Sequence, residues 1–292
     1  VIYMKKKLSI IAIILSFFSL FLLGCETQNE SIEQTAGEMT VHYIDVGQGD
    51  SILIQVNNKN LLIDAGPGKS KDMLLNYLDS LNLKKIDYVI ATHPHEDHIG
   101  NLDDVINKYE IGAFYSPKVT HTTKAYENMI KALKKKDLKI NVIKEGTNSI
   151  DLGEGTKVSV FSPIKAEYKK GSQQDFNNYS PVMKIEFGKT SFLFTGDAEA
   201  EVEKEILKKG YDVSADVLKF GHHGSSTSTS EAFLKAVNPS IGVIQLAEDN
   251  TYGHPHKETL DLIKKYKLNV YRNDIDGDIV LSSDGTNIIK KK

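Results

Sequence analysis

Cysteine occurs once in this chain, at Cys25, and tryptophan does not occur at all. A single thiol makes no disulfide within the chain and no thiolate zinc site, so any metal must be held by imidazole and carboxylate. An excess of positive charge is also missing. Lys and Arg number 36 against 39 Asp and Glu, for a net charge of −3. The longest apolar run, Leu8 to Leu23, is short for a comfortable bilayer span. A length of 292 residues suits one large domain or two small ones.

That apolar run follows Lys5, Lys6 and Lys7 and ends in "LLGC". A charged region followed by an apolar one reads as an export signal. The last four residues resemble the lipobox of bacterial lipoproteins. The resemblance implies a signal peptide over 1–24, a lipidated Cys25, and export to the outer face of the bacterial cell membrane, with the membrane as partner through that anchor. An uncleaved anchor or an ordinary signal peptide is the alternative. Residues 25–38, "CETQNESIEQTAGE", are polar, acidic and aperiodic, as in a flexible tether. Removing the leader takes away three lysines and no acids, which moves the net charge to −6. A chain that binds nucleic acid through bulk charge is basic; this one has only local lysines to offer.

From Met39 onward the pattern is α/β, and 39–292 reads as one catalytic domain. Strands are expected at 40–46, 51–56, 60–66, 86–93, 112–117, 156–163, 180–188, 190–197, 215–224 and 241–247, with closing strands in "NVYRND" and "GDIVLSS". Short polar links join the first three, which implies an antiparallel start. Helical spacing marks 70–82, 101–109, 123–137, 198–209, 230–237 and 257–266. Strand runs with helices between them suit two packed sheets covered by helices. "DAGPGKS" lacks the first glycine of a phosphate-binding loop, and "NDIDGD" lacks the terminal glutamate of a calcium loop.

The densest chemistry is "ATHPHEDHIGN", which puts His93, His95, Asp97 and His98 within six residues. Crowded imidazoles and carboxylates are costly in a core unless each is paired. His93 and His95 are two apart at a strand end, so they point the same way. Asp97 and His98 follow where the chain must turn. Imidazole with carboxylate and no thiolate suits zinc, manganese or iron. Asp45, Asp50 and Asp64 lie at strand ends or turns near this face. Each is placed either to hold the far nitrogen of a ligating histidine or to cap a turn. Gly47 and Gly49 allow the tight "GQGD" turn. His42, alternating within a strand, reads as structural.

H-x-H-x-D-H after a strand resembles the signature of the metallo-β-lactamase fold. "YIDVGQGDSILI", "LLIDAG", "NNYSPVMKIEFG", "SFLFTGDAE", "VLKFGHHGSS" and "NTYGHPHKETL" follow in the order found in the hydrolase domain of ComEC-type DNA-uptake competence proteins. The likeness covers about 39–285 and lacks the membrane channel of those proteins. It implies an αββα sandwich and two divalent metal ions, zinc or manganese. His93 and His95 resemble ligands of the first ion, Asp97 and His98 of the second, with Asp197 bridging. The other reading of Asp197 is a helix N-cap. His222 and His223 compete for the last ligand place; "HGS" favours His223, leaving His222 either to support a ligand from behind or to contact substrate. The first metal's usual third histidine has no counterpart, since His121 reads as a surface-loop residue. Asn177, Asn178 or Ser180 is expected to line the site there.

The implied reaction is hydrolysis by a hydroxide held between two metals, with Asp97 orienting the nucleophile and His254 or His222 serving the leaving group. Ser225 opens a serine-rich stretch that either contacts an oxyanion or caps the next helix. Lys219 and the lysines of 133–136 are the expected phosphate contacts. DNA is the leading substrate, and another envelope phosphodiester (a teichoic acid or phosphocholine ester) comes next. A lactone or β-lactam is third, and a non-catalytic DNA-binding lipoprotein is the rival of another class.

Overall fold

The computed structural model describes residues 37–292. The expected leader, Cys25 and most of the tether lie outside the described residues. Sixteen strands follow in chain order. The first six are β1 (Met39–Tyr43), β2 (Ile52–Val56), β3 (Lys59–Ile63), β4 (Lys85–Ile90), β5 (Glu110–Ser116) and β6 (Ile140–Val142). Then come β7 (Thr156–Val160), β8 (Lys169–Lys170), β9 (Gln173–Gln174), β10 (Met183–Phe187) and β11 (Thr190–Phe194). The last five are β12 (Val217–Lys219), β13 (Ile241–Ile244), β14 (Asn269–Arg272), β15 (Ile279–Ser283) and β16 (Ile288–Lys290). One sheet has the order β16-β15-β1-β2-β3-β4-β5-β6, the other β14-β13-β12-β11-β10-β7, and β8 and β9 form a small hairpin.

Alternation along the strands explains why two sheets stack. Ile52 and Ile54 face the inter-sheet core with Phe192, Phe194, Val217 and Val243, while Leu53 and Leu193 between them face outward. The outward faces are covered by amphipathic helices. On the first sheet lie α1 (Lys71–Ser80), α2 (Glu96–Ile99), α3 (Leu102–Lys108) and α4 (Lys124–Lys135), through Leu74, Val105, Met129 and Leu133. On the second lie α5 (Ala200–Lys208), α6 (Glu231–Val237) and α7 (Lys257–Tyr266), through Val202, Ile206, Phe233 and Leu262. The result is the expected αββα order. Each fully buried aliphatic or aromatic side chain contributes roughly 1.5–3 kcal/mol of transfer free energy.

The antiparallel start is present, since β1, β2 and β3 pair antiparallel. Beyond them β3 to β6 run parallel, as do β11 to β14. Parallel strands send all their carboxyl ends to one edge, where α/β folds bind ligands. Several strands stop two or three residues before their expected ends. At 91–93, 195–197 and 220–224 the chain leaves the ladder and presents side chains at that edge. Four short strands were not expected: β6, the two strands of the β8–β9 hairpin, and β16. They are mostly exposed and carry little apolar alternation.

Candidate metal centre

The ladder of β4 ends at Ile90, and His93 follows three residues later. His95 then stands as the N-terminal flank of α2, and the single turn of that helix carries Asp97 and His98. Gly49 is needed here. A Cβ on it would lie 2.2 Å from the carbonyl oxygen of Asp97, and its φ is +150°. Asp197 comes from the end of β11, and His222 and His223 from the end of β12. Both histidines have left-handed backbone, at φ 48° and 56°. For residues with a Cβ this costs on the order of 1 kcal/mol each, and such strain clusters at functional sites. Here it turns two successive imidazoles toward one carboxylate.

Four imidazoles converge on that carboxylate. The Nε2 atoms of His93, His98, His222 and His223 lie 3.7, 3.3, 3.7 and 3.7 Å from Asp197 Oδ2. Their Nδ1 atoms are held from behind. His98 Nδ1 donates to Asp64 Oδ2 at 2.8 Å, and His223 Nδ1 donates to the Gln245 carbonyl at 3.0 Å with Asp50 Oδ1 at 3.3 Å. His93 Nδ1 meets the hydroxyls of Thr92 (3.1 Å) and Ser180 (3.3 Å), and His222 Nδ1 that of Thr227 (3.2 Å). This fixes the tautomers so that the Nε2 atoms face inward. Asp97 Oδ2 joins from the cavity side, 3.3 Å from His223 Nε2 and 3.8 Å from His98 Nε2. His95 stands beside this set, its Nδ1 2.9 Å from His93 Nε2.

Three triads have donor atoms close enough to share an ion: His93, His98 and Asp197; Asp97, His98 and His223; and, behind them, Asp50, Asp64 and His98. The buried atoms His98 Nε2, His223 Nε2 and Asp197 Oδ1 have no hydrogen-bond partner. Orphaned buried polar atoms of this kind are rare unless something else satisfies them. Nitrogen and carboxylate donors without thiolate fit a divalent cation.

The charges agree. Burial disfavours an imidazolium at His98, yet Asp197, Asp97 and Asp64 outweigh it and raise its pKa well above the ordinary value. Burial likewise opposes charge on His223, but Asp197, Asp50 and Asp97 raise it to about 10. His93 goes the other way, lowered by burial and by the neighbouring His98 cation. Despite its burial, Asp197 is held well below the usual carboxylate range by His98, His223 and His222. A carboxylate pocket that attracts protons this strongly attracts other cations too.

A cavity of about 330 Å³ opens over this cluster, lined by His95, Asp97, Asn177, Asp197, His222, His223, Tyr252 and His254 among others. No lysine or arginine lines it. Lys219 therefore needs correction as a phosphate contact: it is fully buried, with Nζ 2.7 Å from Asp50 Oδ2. Of the lysines of 133–136, Lys134 and Lys135 are on α4 and Lys136 is its C-cap; Lys135 and Lys136 line other hollows. Asn178 is buried too. It accepts from the Glu199 backbone and donates to Asp175, so Asn177 is the residue facing the cavity. Ser180 sits behind the ligands, its hydroxyl accepting from the Asp197 backbone. Ser225 binds Thr227 within its own turn, and Ser230 caps α6. Asp45 accepts from Gly47 and caps the "GQGD" turn, whereas Asp50 and Asp64 stand behind His223 and His98. Asp197 is no N-cap, since α5 begins at Ala200 after Glu199. His42 is structural: it is buried between Tyr77 and Gln55.

His121 is closer to the site than a surface loop suggests, its ring 6.4 Å from that of His95 and 4.6 Å from that of Phe176. Thr92 and Tyr252 fall within "ATHPHEDHIGN" and "NTYGHPHKETL" without being residue types that signal a ligand, and Gln245 falls outside the motifs; their place becomes visible only when the strand ends come together.

The sequence profile of the metallo-beta-lactamase superfamily matches residues 44–247. Over 262 residues the chain is 30% identical to "ComE operon protein 3" of Bacillus subtilis, a match covering 84% of this chain and 33% of that protein. Over 253 residues it is 24% identical to "Competence protein ComA" of Neisseria gonorrhoeae, covering 85% and 32%. The chain thus spans about a third of the length of these curated relatives. Among solved structures, the metallo-beta-lactamase fold protein YhfI of Bacillus subtilis matches with a TM-score of 0.54 at 14% identity, covering 87% of this chain and 99% of that one.

Proposed function

We propose that this chain, which belongs to the metallo-beta-lactamase superfamily and has the fold of its metal-dependent hydrolases, is a phosphodiesterase acting on DNA outside the cell. The observation that carries the reading is the convergence of four imidazoles on Asp197, with His98 Nε2 and His223 Nε2 buried and unpartnered. His93, His95 and Asp197 would hold one ion, and Asp97, His98, Asp197 and His223 a second, zinc or manganese in each case. Such ions supply Lewis acidity and lower the pKa of a water toward about 7. The likeness to competence proteins supports DNA as the phosphodiester.

Hydrolysis adds water across a P–O bond and leaves a phosphate monoester and an alcohol. Asp97, half-open to the cavity, accepts a hydrogen bond from the attacking water and aims it. His222 holds a non-bridging oxygen from the cavity side of Asp197. His254 serves the leaving oxygen, but not as a cationic acid. Its burial, with His223 and His222 near, lowers its pKa to about 4, so near pH 7 it offers a neutral N–H.

The test is the purified protein with manganese or zinc, given single-stranded DNA, double-stranded DNA and a bis-nitrophenyl phosphate, with His95→Ala as control. The parent should cleave and the variant should not. Equal cleavage by both points to a contaminating nuclease and removes the claim. Hydrolysis of a teichoic acid or phosphocholine ester instead of DNA moves the substrate. No reaction despite full metal loading favours a DNA-binding lipoprotein. The cellular half of the reading is export and lipid anchorage at Cys25. Cys25→Ser should release the protein from the membrane or stall its processing, and full-length parent found in the cytosol would contradict it.

A further inference from the structure

Among the described residues, the cavity proposed to receive the phosphodiester has no lysine or arginine on its wall, and the chain carries more acid than base. Proteins that grip nucleic acid by its phosphates release counterions through lysine and arginine. This cavity lacks that handle. What it has is a tyrosine.

Tyr252 lies on the loop between β13 and α7. It is 65% exposed, among the most exposed large apolar side chains of the described residues. Its ring is parallel to that of His254, with centroids 5.6 Å apart and planes 19° apart. One face is thus covered, and the ring stands at the cavity lip. The exposure does not come from a slack loop. Asn250 Nδ2 donates to the carbonyls of Ala247 and His254 at 2.9 and 2.8 Å, and Asn250 Oδ1 accepts from the His254 backbone at 2.9 Å. His256 Nε2 donates to the Tyr252 carbonyl at 3.2 Å, and its Nδ1 accepts from the Ser226 backbone at 3.0 Å. Pro255 bears so closely on Gly224 that a Cβ there would lie 2.8 Å from the proline ring. The backbone that carries the ring is therefore held in place beside the residues proposed to serve the leaving group.

We propose that Tyr252 is a stacking platform for a base next to the scissile phosphate, which makes single-stranded nucleic acid the substrate. The inference rests on the phosphodiesterase reading above and names its substrate class. A duplex keeps its bases stacked inside and cannot offer one to the ring, whereas a single strand can, whatever its sequence. Quaternary ammonium is the other ligand a tyrosine takes, but it is held by a cage of several rings. Tyr252 has one free face.

The experiment is fluorescence anisotropy in EDTA, where no strand is cut, with the parent, Tyr252→Ala and Tyr252→Phe. Each is given a single-stranded oligonucleotide and an abasic strand of equal length. Tyr252→Ala should bind the base-bearing strand at least about fivefold more weakly, with Tyr252→Phe close to the parent. The abasic strand should be bound weakly and equally by all three. The proposal is overturned if Tyr252→Ala matches the parent on the base-bearing strand, or loses the abasic strand to the same degree. A parent that binds no strand overturns both this and the DNA reading. A parent that binds through Tyr252 but cuts nothing with manganese leaves the platform standing and removes the phosphodiesterase. Turnover of a nitrophenyl ester of phosphocholine that falls in Tyr252→Ala, with no change in strand binding, assigns the ring to a quaternary ammonium and overturns the proposal.

Discussion

Lys219 Nζ lies 2.7 Å from Asp50 Oδ2, and neither side chain reaches solvent. Asp50 in turn faces His223, so a buried cation is linked to a candidate metal ligand through one carboxylate. Despite its burial, Lys219 and His223 hold Asp50 down at about 2. Removing one partner of such a pair leaves an uncompensated charge, which costs about 3–5 kcal/mol. Lys219→Met should lose that much stability in denaturant titrations of the metal-free protein. Lys219→Met with Asp50→Leu should recover a good part of it. A single variant as stable as the parent would show that the pair carries no such charge balance.

Metal binding should expel protons. In the metal-free protein His98 and His223 are both raised above the ordinary histidine value by the carboxylates around them, so near pH 7 both carry a proton that a cation must displace. Affinity should therefore rise with pH. Calorimetric titrations in buffers of different ionisation enthalpy should give different apparent heats, and identical heats would argue against proton displacement. His98→Ala and Asp197→Ala should each remove metal binding while the chain stays folded. Asp64→Asn, which alters the carboxylate that supports His98 Nδ1 and also accepts from Thr92, should weaken metal binding roughly 10- to 100-fold.

Neighbouring asparagines should separate stability from turnover. Asn178→Ala leaves the Glu199 N–H and the Asp175 carboxylate without their partner and should cost about 1–3 kcal/mol. Asn177→Ala should stay within about 0.5 kcal/mol of the parent and change the kinetics instead, because its side chain faces the cavity. Thermal unfolding beside steady-state rates checks both. The reverse pattern would exchange their roles.

His42 gives an acid limb to stability far from the metal centre. Burial, partly offset by its bond to Gln55, lowers its pKa from 6.5 to about 4. A lowered folded-state pKa means that the unfolded chain takes up the proton first. The contribution is intact above pH 6.5 and is lost as pH falls through 4, amounting to about 3 kcal/mol. In parallel urea titrations from pH 7 to pH 4, the stability of His42→Gln should fall less than that of the parent. Curves of equal slope would contradict this.

The ligand motif was legible because its chemistry is written in consecutive residues, and α7 falls at 257–266 as its spacing predicts. What depended on the direction of single side chains was less so. In β12 the two-residue period puts Lys219 on the same side as Val217, toward the packed sheets, so its burial was readable from "VLK". Asn177 and Asn178 sit in one 3₁₀ turn, where adjacent residues diverge and sequence gives no hint which faces the cavity. The β8–β9 hairpin has only "KKGSQQ" to announce it, with no apolar side chain to alternate.

The pairing of β1 with β15 has a consequence in time. Met39 lies opposite Ser283 and Tyr43 opposite Ile279, so one neighbour of the first strand is made last. Contacts between residues so far apart in sequence form slowly, because the long intervening loop must close first. A ribosome-bound chain cannot complete its first sheet until synthesis is nearly over. Under the export proposed above, that delay would keep the first sheet open while the chain is threaded across the membrane.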